Sequence, residues 1–128
     1  MPWNLDSDRP IFIQIIEKIQ MDIISGLYAP GDKLPSVREL AQAASVNPNT
    51  MQKALSELER TGLVYSQRTS GRYITEDTAM IADLKSKLAR DIVTQFLNNM
   101  QQLGIQQKEI ISLICEINKG DGHDTVRM

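Results

Sequence analysis

One cysteine, one histidine and one tryptophan are spread over 128 residues, and only 5% of the chain is aromatic. Cys115 alone can make neither a disulfide framework nor a cysteine-rich zinc site, and in its apolar surroundings it reads as a small buried residue. His123, flanked by Gly122 and Asp124, reads as solvated. The acidic residues show no spacing suited to a cation. Gly26, Gly31 and Gly71 punctuate turns and do not make a phosphate-cradling loop. With no nucleophile–base pair either, an enzyme, a cofactor and a resident metal have nothing to stand on. No apolar run approaches the roughly 20 residues of a membrane helix. Residues 1–6 lack a basic stretch followed by an apolar core, so no secretory leader and a cytoplasmic location are expected.

An excess of positive charge is also missing. The net charge is −2; residues 1–75 carry eight basic and eight acidic side chains, and the remainder accounts for the deficit. A DNA-binding chain usually shows a basic footprint, so composition argues mildly against one unless a few cations are gathered on one face.

What is present is a strongly patterned stretch from Leu34 to Gly62. Ser36 and Glu39 form an S-x-x-E capping box, which predicts a helix starting at Ser36. Val37, Leu40, Ala41 and Ala44 then fall on one stripe. Ser45-Val46-Asn47 interrupts it, Asn47 is a good N-cap, and Pro48 suits the first position of a second helix. Met51, Ala54, Leu55 and Leu58 make the apolar face of that helix, and Gly62 stands where a left-handed residue ends it. Its outer face carries Asn49, Thr50, Gln52, Lys53, Ser56 and Arg60, donors and acceptors of the kind that read bases and phosphates. This is a helix-turn-helix pattern. Two β-prone runs follow, Leu63–Ser66 and Arg72–Thr75, around a turn carrying Arg68. A helix-turn-helix with such a hairpin is a winged helix, in which Arg68 or Arg72 would meet a phosphate or the minor groove. Arg38, Lys53, Arg68 and Arg72 would share one side of it, leaving Asp6, Asp8, Glu17 and Asp22 outside.

Upstream, Pro10 is expected at the first position of a helix ending at Gly26, with Phe12, Ile15, Ile16, Ile19, Ile23 and Ile24 buried. Trp3 is expected to cover an apolar groove of its own chain. Pro30-Gly31 makes a turn, and Asp32-Lys33-Leu34 is a candidate edge strand.

The order helix, Gly-x-x-x-x-Gly-Asp-x-Leu-Pro-Ser-x-Arg-Glu-Leu-Ala (Gly26–Ala41), Val-Asn-Pro-Asn-Thr (Val46–Thr50), Leu-Glu-x-x-Gly (Leu58–Gly62) resembles the DNA-binding domain of the GntR family of bacterial transcription regulators. The short helical remainder is similar to the YtrA-type subgroup. The hairpin tip departs from the family, with Thr69 and Ser70 where Gly and a basic residue are common, but Gly71 is kept. The resemblance implies DNA contacts at Ser36, Arg38, Asn47, Asn49, Thr50, Gln52, Lys53, Arg68, Gly71 and Arg72. It implies a bidentate arginine–guanine contact for Arg38. It also implies repression, and for short members often of ABC-transporter operons.

After Thr75 the chain has no Gly or Pro until Gly104, which predicts one long helix over Glu76–Leu103. Ile81, Leu84, Leu88, Ile92, Phe96, Met100 and Leu103 repeat every three or four residues. A second helix over Gln106–Lys119 carries Ile110, Leu113, Ile114 and Ile117, and residues 120–128 read as a disordered tail. A long and a short helix cannot enclose a core, so Ile81, Leu84, Leu88, Ile92, Phe96, Met100, Leu103, Ile110, Ile114 and Ile117 are expected to hold a homodimer. A two-fold dimer suits a palindromic operator in double-stranded DNA. The expected fold is therefore mainly α with a small β-hairpin: a winged helix-turn-helix domain over 1–75 and a two-helix dimerisation segment over 76–119. About fifty residues are too few for an effector domain, and no effector is identifiable. Two other readings stay open. One is a winged-helix protein-interaction module, against which the absence of aromatic anchors on the second helix speaks. The other is a ligand sensor with its site at the dimer interface.

Overall fold

The computed structural model describes residues 3–120. Five helices and one hairpin follow each other in the order α1 (Ile11–Ile24), α2 (Val37–Ala44), α3 (Pro48–Arg60), β1 (Val64–Gln67), β2 (Gly71–Ile74), α4 (Thr78–Gln102) and α5 (Gln107–Gly120). The chain divides into two compact units between Lys85 and Ser86, a point inside α4. The expected tail beyond Gly120, with His123, lies outside the described residues.

In the first unit α1 and α2 both pack on α3. Ile15, Ile19, Met51, Leu55, Leu58 and Ile74 are almost fully enclosed, and Leu40, Ala41, Ala44 and Ala54 complete the core. This is the apolar stripe of each helix brought to one centre. Each large aliphatic side chain so buried contributes about 1.5–3 kcal/mol. Trp3 is half-buried against this core, as expected, and the Lys18 ammonium lies 5.7 Å from its ring centre. The arm that carries Trp3 is tied down by Gln14, a buried polar residue. The Gln14 amide accepts from the Asp6 N–H at 2.6 Å and donates to the carbonyls of Asp6 and Arg9 at 2.7 and 2.9 Å.

Local caps set the helix ends. Both halves of the Ser36–Glu39 box are formed, at 3.1 and 2.9 Å. Ser45 adopts a left-handed φ of 57°, and the Val46 N–H reaches back to the Ala41 carbonyl at 3.0 Å, which closes α2 and turns the chain toward α3. Asn47 caps α3 through the Asn49 N–H at 2.7 Å with Pro48 in the first turn, and Gly62 follows with φ 88°. Pro10 differs from its expected place. Its ψ of 127° is extended, so it is the N-cap of α1, and its carbonyl accepts from Gln14 N.

β1 and β2 pair antiparallel, Val64 opposite Ile74 and Gln67 opposite Gly71, one residue later at the first strand and one earlier at the second than the sequence suggests. The Thr75 N–H still donates to the Leu63 carbonyl at 2.9 Å, so Leu63 and Thr75 close the ladder from outside it. Lys33 bridges Tyr73 as the expected edge strand, supported by Leu34 N to Arg72 O at 2.9 Å and Ile74 N to Asp32 O at 2.8 Å.

α4 starts behind Asp77, whose carboxylate accepts from Met80 N at 3.1 Å. Gly104 at φ 79° ends its last turn, with Ile105 N bonded to Met100 O at 3.0 Å. Three residues expected at a dimer face are covered within the chain itself. Ile81 and Leu84 pack, with Met80, on the core of the first unit. Ile110 is only 6% exposed. The apolar stripe of α4 therefore divides: its first turns complete the first unit, and only its later part is left open. Gly120, expected to begin the tail, is the last residue of α5.

Candidate nucleic-acid interface

Five of the polar residues expected to point away from the core on α3 do so: Asn49, Gln52, Lys53, Ser56 and Arg60 are exposed. This follows from the 3.6-residue period, because Met51, Ala54, Leu55 and Leu58 take the opposite face. Thr50 is half-buried and lines a recess together with Trp3, Leu5, Ile11 and the α2–α3 turn. The Asn47 side chain is engaged in the cap, Gln52 donates to Ser56 at 3.3 Å, and Lys53 sits 6.0 Å from the Phe12 ring centre. Arg60 is held by Glu57 one turn earlier. Its outward cation is thereby neutralised, while Glu57 is kept below the usual carboxylate range by the same bond.

Arg38 lies on the first turn of α2, exposed, and neither it nor Lys53 nor Arg68 forms an ion pair among the described residues. Glu39 beside it is occupied by the backbone N–H of Ser36, which lowers its pKa. Unpaired, solvent-facing cations on a rigid helix cost little to bring to a phosphate or a guanine edge. Ser36, Gly71 and Arg72 come together with Lys33 and Ser70 around a groove of about 640 Å³ between the start of α2 and the wing.

Arg72, expected as an alternative to Arg68 for a phosphate or the minor groove, is paired within the chain: its guanidinium turns to the Glu59 carboxylate of α3, and Ser66 Oγ donates to the same carboxylate at 2.7 Å. Side chains in this pair are 20% and 30% exposed. Both wing strands are thus tied to the last turns of α3. Burial by itself would raise the Glu59 carboxyl, but the bonds from Ser66 and Arg72 outweigh it and hold the group below its usual range.

That depression makes the tie pH-dependent. A carboxylate with a lowered folded-state pKa adds stability above its unfolded value, near 4.3, and loses it as pH falls through the folded value. Glu59→Gln is expected to cost about 1 kcal/mol at pH 7, a modest figure because water screens the pair. The gap in melting temperature between parent and variant should close between pH 5 and pH 3, each bound being approximate. Melting curves across that range check it, and a gap that stays constant down to the acid end would overturn it.

Sequence reasoning missed Lys33, Glu59 and Gln14. The signal for Glu59 was available: Val64 and Ile74 are core residues, so Ser66 and Arg72, two places along, must share their face. Among the described residues no group of His, Cys, Asp and Glu is placed to hold a metal ion.

Comparison with known proteins accords with this geometry. Residues 13–74 match the model of the gntR family of bacterial regulatory proteins. The chain is 36% identical to the HTH-type transcriptional repressor YtrA of Bacillus subtilis over 113 residues, 88% of this chain and 87% of that one. A solved GntR family transcriptional regulator from Listeria monocytogenes superposes with a TM-score of 0.83 at 41% identity, over 88% of this chain and 98% of its own. The DNA-binding domain of AraR, solved in complex with operator ORX1, is similar at 29% identity and a TM-score of 0.53, over 59% of this chain and 95% of its own.

Proposed function

The chain belongs to the GntR family of bacterial regulatory proteins, as a YtrA-type winged helix-turn-helix transcription regulator, and from that premise we propose that it represses transcription as a two-fold dimer seated on an inverted repeat. The relatives it matches are transcriptional regulators. The similar AraR domain was solved with an operator, and its likeness, over 59% of this chain, supports operator DNA as the ligand here. Arg38 and the first turns of α3 would meet base edges and phosphates, with Arg68 at the wing tip.

The observation that carries the dimer is the open apolar face of the second unit. Ile92, Val93, Phe96 and Leu97 on α4 are exposed, as are Ile111, Leu113 and Ile114 on α5, and Leu103 and Ile117 are 74% and 64% exposed. Exposed apolar surface of this extent supports an interface, and a second copy supplies an identical face by two-fold symmetry. Of the residues first expected there, Ile92, Phe96, Leu103, Ile114 and Ile117 are exposed, and Leu88 and Met100 are half-buried. Among the described residues no helix is long and apolar enough to cross a membrane. The resemblance to short YtrA-type members supports an ABC-transporter operon as the proposed target class.

Selection of bound fragments from random duplex DNA tests the reading. The expected product is a short inverted repeat whose half-sites lie about one helical turn apart or closer. Recovery of only asymmetric or direct-repeat sites would overturn the two-fold arrangement, and recovery of no enriched sequence would overturn sequence-specific binding.

A further inference from the structure

Strand parity exchanges the roles of two cations at the wing. Alternate residues of a strand face opposite sides of the sheet. Val64 and Ile74 are opposed and buried, so the next same-face pair, Ser66 and Arg72, points inward to Glu59. Tyr65 with Tyr73, and Gln67 with Gly71, form the outer side, where the two tyrosine rings stack at 5.8 Å. Lys33 is the antiparallel partner of Tyr73 and so belongs to that outer side. Its side chain runs across to Gly71: a Cβ there would lie 3.2 Å from Lys33 Cε and 4.0 Å from Nζ. Gly71 also has φ 119°, which L side chains rarely adopt. Glycine at this position therefore serves twice, in the turn and as room for the lysine. The ammonium stands at the groove whose walls include Ser36 and Ser70, and it forms no ion pair among the described residues. The carboxylate on the same groove, Glu39, is already bonded to the Ser36 N–H.

We infer that Lys33 is a phosphate-contacting residue of the DNA interface, gripping the duplex backbone between the start of α2 and the wing. The inference rests on the DNA-binding reading above. A compact ammonium with three donors suits a phosphate oxygen approached from several directions. Its neighbours in the groove, Ser36 and Gly71, are themselves expected at the DNA. Arg72, in contrast, is a positioning residue that holds the wing against α3.

The test is a binding titration of the full chain on a duplex recovered by selection, at salt concentrations from about 50 to 200 mM. Each phosphate contact contributes about 0.9 to the slope of log affinity against log salt. Lys33→Gln is expected to lower the slope by that amount per subunit, Lys33→Arg to keep it, and Lys87→Gln, a cation on α4 paired with Asp91, to leave it at the parental value. Circular dichroism confirms that each variant is folded. A parental slope in Lys33→Gln, or a loss that Lys33→Arg fails to restore, overturns the inference. A parent chain whose binding is independent of salt overturns the DNA-binding reading along with it.

Discussion

Phe96→Asp is expected to leave the helices intact and convert the dimer to a monomer in sedimentation at micromolar concentration. Phe96 is 38% exposed in the single chain, so part of its ring is free to meet a second copy. In the proposed dimer it lies amid Ile92, Val93 and Leu97 on a face closed by its own copy, and a carboxylate there would lose its water with no partner. The consequence for DNA is large because the two half-sites act together. Once one recognition helix is bound, the second binds at an effective concentration set by the tether, and losing that linkage reduces affinity on the order of 100-fold or more. Two readouts separate the possibilities: sedimentation reports assembly, and titration on the selected duplex reports avidity. A dimer that persists with Phe96→Asp would place the interface elsewhere. A monomer that keeps parental affinity would show that one subunit suffices for the site.

Arg38→Ala is the second large effect. Arg38 sits two residues past the Ser36 cap, exposed and unpaired, on a helix whose start is fixed by the reciprocal bonds of the capping box. A planar guanidinium held by a rigid turn suits bidentate contact with guanine. Its loss is expected to cost about 1–3 kcal/mol and to relax the preference at one base pair in each half-site. Lys53→Ala makes the contrast: as a phosphate contact it should weaken operator and scrambled duplex alike and reduce the salt slope by about 0.9 per contact. Parallel titrations on both duplexes distinguish the two behaviours, with circular dichroism as the folding control. Unchanged operator binding by Arg38→Ala would mean that the DNA-facing surface is misplaced.

The parts of this molecule that were legible in the sequence are those set within one turn of helix or one hairpin. Ser36 with Glu39, and Asn47 with Pro48, announce α2 and α3 because a cap bonds to N–H groups two or three residues away. The same holds for the apolar faces of α1, α2 and α3, where a fixed helical period converts spacing into direction. The exposed row on α3 follows from it. The expected edge strand at Asp32-Lys33-Leu34 is reduced to a single bridge from Lys33 to Tyr73.

Only tertiary structure decided what each exposed or half-exposed group does once the elements meet. Arg72 and Glu59 are 13 residues apart, and nothing in their spacing says that the wing folds back on α3 far enough to pair them. Lys33 meets Gly71 across a longer interval still, and only the register of the ladder puts its ammonium at the wing. Ile81 and Leu84 look the same in sequence as Ile92 and Phe96, all on one repeating stripe. The first two are half-buried because the start of α4 packs on the core of the first unit, while the later pair is exposed. A repeat specifies which face of a helix is apolar; which surface covers that face depends on chain packing that brings distant residues together, and local periodicity carries no information about that.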